Sequence, residues 1–310
     1  MHLRIGTRGS QLALWQAHYV AERLQAGGAT VEIVLIETKG DQILDQALAK
    51  IGSKGLFTAE LEAQLLSQDI DLAVHSAKDL PSVLPEGLEI IAFGPRENPQ
   101  DVLVSLAPEL TLAKLDEKAV IGTSSTRRTA ILRHYCPKVQ IRDVRGNLQT
   151  RLRKLEEGHY TALLLAFAGV HRMGYTHHIA EHLPLEIFTP AVGQGSIALE
   201  AAGALPNEKK QFIRQQVNHE ATEICLRAER TFLKTLQGGC SVPVFGLAQW
   251  ENDAIVLHGG IISLDGQTII QERQKARPGE AAQLGHQLAQ TLLNRGGAFL
   301  LKAIKNELSS

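Results

Sequence analysis

The chain has 310 residues, 44% of them hydrophobic and 21% charged, with a formal net charge of −1. That length accommodates two or three domains with real cores, and the near-neutral balance excludes a global field that would draw the protein to nucleic acid or a membrane. The opening "MHLRIGTRGS" lacks the apolar region of a signal peptide, and the longest apolar run, Ala162 to Val170, is too short to span a bilayer, so a cytoplasmic protein is expected.

The first half alternates strand-like and helix-like segments. "HLRIGT" leads into a helix from about Gln11, capped by Ser10, with Leu12, Trp15 and Tyr19 on one stripe, and "VEIVLIET" follows as a strand. A helix over roughly Thr58 to Ser67 and the strands "IDLAVHS" and "LEIIAF" complete an α/β layer with a largely parallel sheet. The polar, Pro-containing "GPRENPQ" (94–100) marks a linker. The same rhythm then restarts with "DVLVS", "AVIGTSS", a helix from Ser125, "VQIRDV", a helix from Asn147 and "YTALLLA". From Gln216 the pattern changes to a long helix, "VNHEATEICLRAERTFLKTL", three strand-like stretches and a helix near Glu280 to Leu293, which suggests a small α+β domain.

Charge is concentrated locally. Between Val120 and Leu155 nine basic residues stand against one acid, Asp143. A solvated basic face is the ordinary reading of such a run. Here, however, Arg127 and Arg128 follow "GTSS" at a strand-to-helix turn, where free N–H groups and the helix dipole favour an anion. Arg145-Gly146-Asn147 and Arg8-Gly9-Ser10 repeat the arrangement, and such turns line the ligand crevice of open α/β sheets. Arginine binds carboxylates bidentately, so a small ligand rich in carboxylates or phosphates is expected. No GxxxxGK[ST] or GxGxxG supports a nucleotide. Nucleic acid is disfavoured because Tyr135 is the one aromatic in the basic run.

A buried-type strand in "AVHSAKDLP" runs directly into His75, Ser76, Lys78 and Asp79. Asp79 suits either a simple turn or a carboxylate aimed into a cleft. His75 reads as a core or edge residue. The three cysteines form neither a disulfide framework nor a metal-type pair, so no metal is expected. Cys136 and Cys225 read as packing thiols. Cys240, in "QGGCSVP", is held on an open Gly-rich loop with no poised histidine in sequence to make it a protease nucleophile.

Taken together, "GTRGSQLALWQ", "KGLF", "AVHSAKDLP", "IGTSSTRR", "RGNLQTRL", "PAVGQGS" and "ERTFLKTLQGGCSVP" resemble the porphobilinogen deaminase (hydroxymethylbilane synthase) family over nearly the whole chain. The resemblance implies two α/β domains like periplasmic binding proteins plus a smaller C-terminal α+β domain. It implies residues 1–94 and 196–215 for the first domain, 100–190 for the second and 217–310 for the third. It implies a transferase of tetrapyrrole synthesis that joins four porphobilinogens head to tail with release of ammonia, then hydrolyses the product free. By the same resemblance Cys240 carries a covalent dipyrromethane cofactor through a thioether and Asp79 is catalytic. Ser76, Lys78, Asp79, Ser125, Arg127, Arg128 and Arg151 hold that cofactor, and Arg8, Ser10, Arg145 and Arg172 contact substrate. Lys54 and Phe57 match a mobile segment. A cytoplasmic monomer with no nucleic-acid or membrane partner is expected. Ser53 and Phe245 depart from the pattern, where glycine and a small residue are usual. The alternative is a non-catalytic small-anion-binding module, which has no need of a thiol at Cys240.

Overall fold

The computed structural model describes residues 1–38, 58–239 and 241–309. Ser53, Lys54, Phe57 and Cys240 lie outside the described residues.

Two five-stranded sheets share one plan. The first contains β1 (His2–Thr7), β2 (Thr30–Leu35), β3 (Leu72–Ser76) and β4 (Leu88–Phe93), with β10 (Ile197–Ala202) inserted to give the order β2-β1-β3-β10-β4. The second contains β5 (Asp101–Val104), β6 (Val120–Gly122), β7 (Gln140–Arg142), β8 (Ala162–Ala166) and β9 (Ile179–His182) in the order β7-β6-β8-β5-β9. In each sheet three neighbouring strands are parallel and the inserted strand, β10 or β5, is antiparallel to both its neighbours. The sheets are therefore mixed. The inserted strands are those that receive the two chain crossings, 94–100 and 183–196, and each enters its sheet from the opposite end.

The crossings are bound to each other. Glu97 donates its backbone N–H to the Gly195 carbonyl at 3.1 Å, and Arg96 Nε donates to the Gln194 carbonyl at 2.9 Å. Gly195 has φ +92°, and a side chain there would run into the Glu97 carbonyl; Gly193, at φ +79°, lies against the Ala77–Lys78 peptide, 2.9 Å from a would-be Cβ. Both glycines of "PAVGQGS" are thus required by backbone conformation and close approach.

Helix α1 (Gln11–Ala26) starts where Ser10 Oγ accepts from the Ala13 N–H at 3.3 Å. It buries Gln16, Ala17, Val20, Ala21 and Leu24 against the first sheet. The Leu12, Trp15 and Tyr19 stripe is only half-buried, with Trp15 beneath the Arg172 guanidinium and Leu12 beside Gly169 of α5 (Phe167–Arg172). Trp15 and Tyr19 still pack against the first sheet's core, so the stripe bridges that core and the second layer. The other face of the first sheet is covered by α2 (Ala59–Leu66). In the second sheet, α3 (Thr126–Tyr135) is capped by Ser125 and α4 (Leu148–Glu156) by Asn147.

The expected long helix forms as α7 (Glu220–Thr235), capped by His219, and a separate helix, α6 (Asn207–Val217), precedes it and stops at Asn218. Helix α7 packs with β11 (Val244–Glu251), β12 (Ala254–Ile262), β13 (Ile269–Ala276) and α8 (Ala281–Leu292), followed by α9 (Ala298–Ser309). Gly285 lets α8 approach α7 closely enough that any Cβ would overlap the Ala228 carbonyl. Phe245, one of the departures, is 2% exposed and packs beside Ile121, Ile131 and Phe188 of the second sheet's layer. Its ring fills the space left by Gly260, so the larger side chain is absorbed by a glycine on the neighbouring strand.

The buried carboxylate of Glu229 on α7 joins all of these parts. It accepts from the Arg96 guanidinium at 2.5 Å and from the Gly193 and Ala248 N–H groups, each at 2.8 Å. One side chain thus holds both crossings and β11.

Candidate active site

The C-terminal end of β3 turns directly into a single 3-10 turn, Ala77–Asp79, as "HSAKDLP" suggests. Ala77 and Leu80 are buried, which leaves Ser76 and Lys78 half-buried and Asp79 exposed at the mouth. A cavity of about 70 Å³ lies beside this turn, lined by Arg8, Ser10, Gln16, His75, Ser76 and Asp79 among others. The structure therefore brings together Arg8, Ser10, Ser76 and Asp79 from two segments of the first sheet's layer. Gln16 was not singled out by sequence. It is buried and donates Nε2–H to Ser76 Oγ at 2.9 Å, which fixes that hydroxyl at the cavity wall.

His75 is more than a core residue. Its Nε2 lies 3.1 Å from Glu200 Oε2, and both side chains are buried. The strand register accounts for this: His75 pairs with Ala198, so Glu200 is its diagonal neighbour on the same face of β10.

Across from the turn stand the arginines at the start of α3. Ser125 Oγ accepts from the Arg128 N–H at 3.4 Å, so its hydroxyl serves as a helix cap. Arg127 and Arg128 are both buried, and their partner is Asp101, the first residue of β5, which sequence reading missed. Arg127 donates through Nη2 to Asp101 Oδ2 at 2.8 Å and through Nη1 to the Thr189 carbonyl at 2.9 Å. Arg128 donates through Nη2 and Nε to Asp101 Oδ1 at 2.7 and 3.1 Å, and through Nη1 to the Leu164 carbonyl at 3.1 Å. Gln194 Nε2 adds a bond to Asp101 at 2.9 Å. Burial would raise the Asp101 carboxyl, but the two guanidinium charges and these bonds override it and hold it well below the usual carboxylate range.

The local basic excess is correspondingly smaller than the sequence window implies. Asp101 offsets one of its two arginines, and Arg153 pairs with Glu157 at 3.6 Å. What remains near the cleft is specific. Arg151 donates Nε–H to the Gly146 carbonyl at 2.9 Å. Burial lowers its guanidinium to about 10, with Arg128 adding to the drop and Asp143 opposing it, so it stays charged at neutral pH. Arg145 leans on Asp143 at 3.1 Å. Burial pulls the Lys78 ammonium down to about 8, opposed by Asp79 and reinforced by Arg128. Lys78 thus feels the charges of Asp79 and Arg128, and Arg151 feels those of the same two groups. Arg172 stands apart, donating to the Gly195 carbonyl at 2.8 Å with its guanidinium 5.3 Å over Trp15.

The residues fit an anionic group with several carboxylates. Arg127 Nε is buried with no acceptor among the described residues, a donor that a ligand carboxylate satisfies. Burial pushes Cys225 up to about 12, with Glu229 adding, and raises Cys136 as well, so both stay protonated and inert. No group of His, Cys, Asp and Glu among the described residues is arranged to hold a metal, and no helix among them is long and apolar enough to cross a membrane.

A family model described as porphobilinogen deaminase, dipyromethane cofactor binding domain, matches residues 3–208, and the porphobilinogen deaminase C-terminal domain matches residues 223–294. Among curated proteins, the porphobilinogen deaminase of Desulfosudis oleivorans is 50% identical over 99% of each chain. That of Cytophaga hutchinsonii is 54% identical over 99% of this chain and 98% of its own.

Proposed function

The chain belongs to the porphobilinogen deaminase family, and from that premise we propose how its own residues divide the work. It is a transferase that joins four porphobilinogens head to tail, releasing ammonia at each addition, and then frees linear hydroxymethylbilane by hydrolysis. It uses a dipyrromethane cofactor, which supplies the pyrrole carbon to which the first substrate is joined.

Asp79 is the catalytic group in this reading. Loss of ammonia leaves the substrate as an electrophilic azafulvene, whose pyrrole N–H carries developing positive charge. A carboxylate at the cavity mouth stabilises that charge and assists proton transfer. Cys240 anchors the cofactor through a thioether. Lys78, Arg127, Arg128 and Arg151, with Ser76 and Ser125, hold the cofactor's acetate and propionate groups. Arg8 and Ser10 receive incoming substrate at the cavity, with Arg145 across from them. Arg172 reaches substrate only by giving up part of its grip on Gly195 and Trp15, so its first role is to hold α1 against the second crossing. Lys54 and Phe57 keep the mobile-segment role that the resemblance gives them and lie outside the described residues. The division into domains of residues 1–94 with 196–215, 100–190 and 217–310 is supported by β10 joining the first sheet. The protein acts as a cytoplasmic monomer on its small substrate, without a nucleic-acid or membrane partner.

The single observation that supports this reading best is the cavity that Arg8, Ser10, Ser76 and Asp79 line together. Its test is the intact mass of the purified protein together with ammonia release from porphobilinogen. A mass excess of one dipyrromethane and turnover are expected. A protein of unmodified mass that binds small anions without turnover returns the binding-module alternative.

A further inference from the structure

The 76–82 segment, which carries Asp79, is gripped from one side by the helix that leads to the cofactor-bearing loop. Leu226 of α7 packs with Ala77 and Leu80 in one buried cluster. One turn on, Glu229 holds the Gly193 N–H, and Gly193 presses on the Ala77–Lys78 peptide. Arg230 donates Nη2–H to the Pro81 carbonyl at 2.9 Å, and its buried guanidinium also feels the Glu200 charge. Beyond the end of α7, Ser82 Oγ donates to the Gly238 carbonyl at 3.0 Å. Gly238 precedes Cys240 by two residues and Ser82 follows Asp79 by three.

We propose that Ser82 and Arg230 are positioning residues that fasten the attachment loop to the Asp79 turn, so that the distance from anchor to catalytic carboxylate stays fixed while the bound chain lengthens. The inference rests on the reading that Cys240 carries the growing chain. Its consequence differs between additions. With the shortest bound chain few rotatable bonds separate the anchor from the reacting ring, so the anchor's position sets how often that ring meets Asp79. With each added ring the linker lengthens and this dependence fades.

The test compares wild type, Ser82→Ala and the hydroxyl-retaining Ser82→Thr as holoenzymes. Single-turnover mixing with porphobilinogen, read by intact mass, gives the rate of each addition separately. Amide hydrogen exchange across 233–244 reports the loop without reference to activity. Ser82→Ala is expected to slow the first addition about 2- to 10-fold relative to the third, the range one net hydrogen bond commands. It should also speed exchange at 236–242, and Ser82→Thr should restore both. Additions slowed equally, or loop exchange unchanged in Ser82→Ala, overturn the proposal. Absence of any mass ladder in the wild type overturns instead the attachment reading on which it rests.

Discussion

Asp101 and Arg128 meet at 2.7 Å in a buried pair, although they lie 27 positions apart and the acid stands outside the basic stretch. The arginines at the head of α3 are therefore internal struts as well as ligand donors. Asp101→Ala leaves two buried guanidiniums without their counter-charge, and breaking such a pair costs about 3–5 kcal/mol. A lower denaturant midpoint is expected. Because Asp101 is held below its unfolded value, its contribution is complete above about pH 4 and declines as pH falls further. Wild type should lose stability across that acid range more steeply than Asp101→Asn, and parallel acid profiles would dismiss the pair as a stabilising element.

Asp79 is exposed at the cavity mouth and belongs to no buried network, so its replacement isolates chemistry from folding. Asp79→Asn should retain the melting temperature and the cofactor mass. Its turnover should fall roughly 10²–10⁴-fold, the span of one acid–base group. Near-normal turnover would remove Asp79 from its catalytic role.

Lys78 carries its own pH signature. With its ammonium lowered to about 8, the charge that grips a carboxylate is lost as pH rises through that value. The sign for stability is opposite to that for binding. Below about pH 8 the charged, desolvated group weakens the fold relative to an unfolded lysine titrating near 10.4, and that penalty is relieved between about 8 and 10.4. Cofactor assembly, followed by mass against pH, should fall off on an alkaline limb near 8, and Lys78→Arg should move that limb upward. An unmoved limb would assign it to another group.

The three cysteines should separate cleanly. Cys240→Ala is expected to lack both the cofactor and the ladder of enzyme masses that limiting porphobilinogen produces. Cys136→Ala and Cys225→Ala should keep both, since burial holds those thiols protonated. The Cys240 variant should also melt lower, because a ligand bound only by the folded cleft adds to stability. A ladder surviving in Cys240→Ala would refute attachment there.

Sequence alone determined the features whose causes lie within a few residues. The caps at Ser10, Ser125 and Asn147 and the strand-to-turn run at "HSAKDLP" are local chemistry, and the ordered motifs identified the family. Tertiary structure decided which groups share a space. Helical periodicity marks Leu12, Trp15 and Tyr19 as a stripe but does not say that Leu12 and Trp15 also meet the second layer at Gly169 and Arg172. A charge count over a window takes no account of an acid on a neighbouring strand, so Asp101 and Gln194, which clasp Arg128, were invisible. Glu229 and Ser82 likewise gain meaning only from the parts they join. Periodicity and capping are short-range, whereas the partner of a buried charge depends on strand order, and β5 and β10 each enter their sheets from a distant point in the chain.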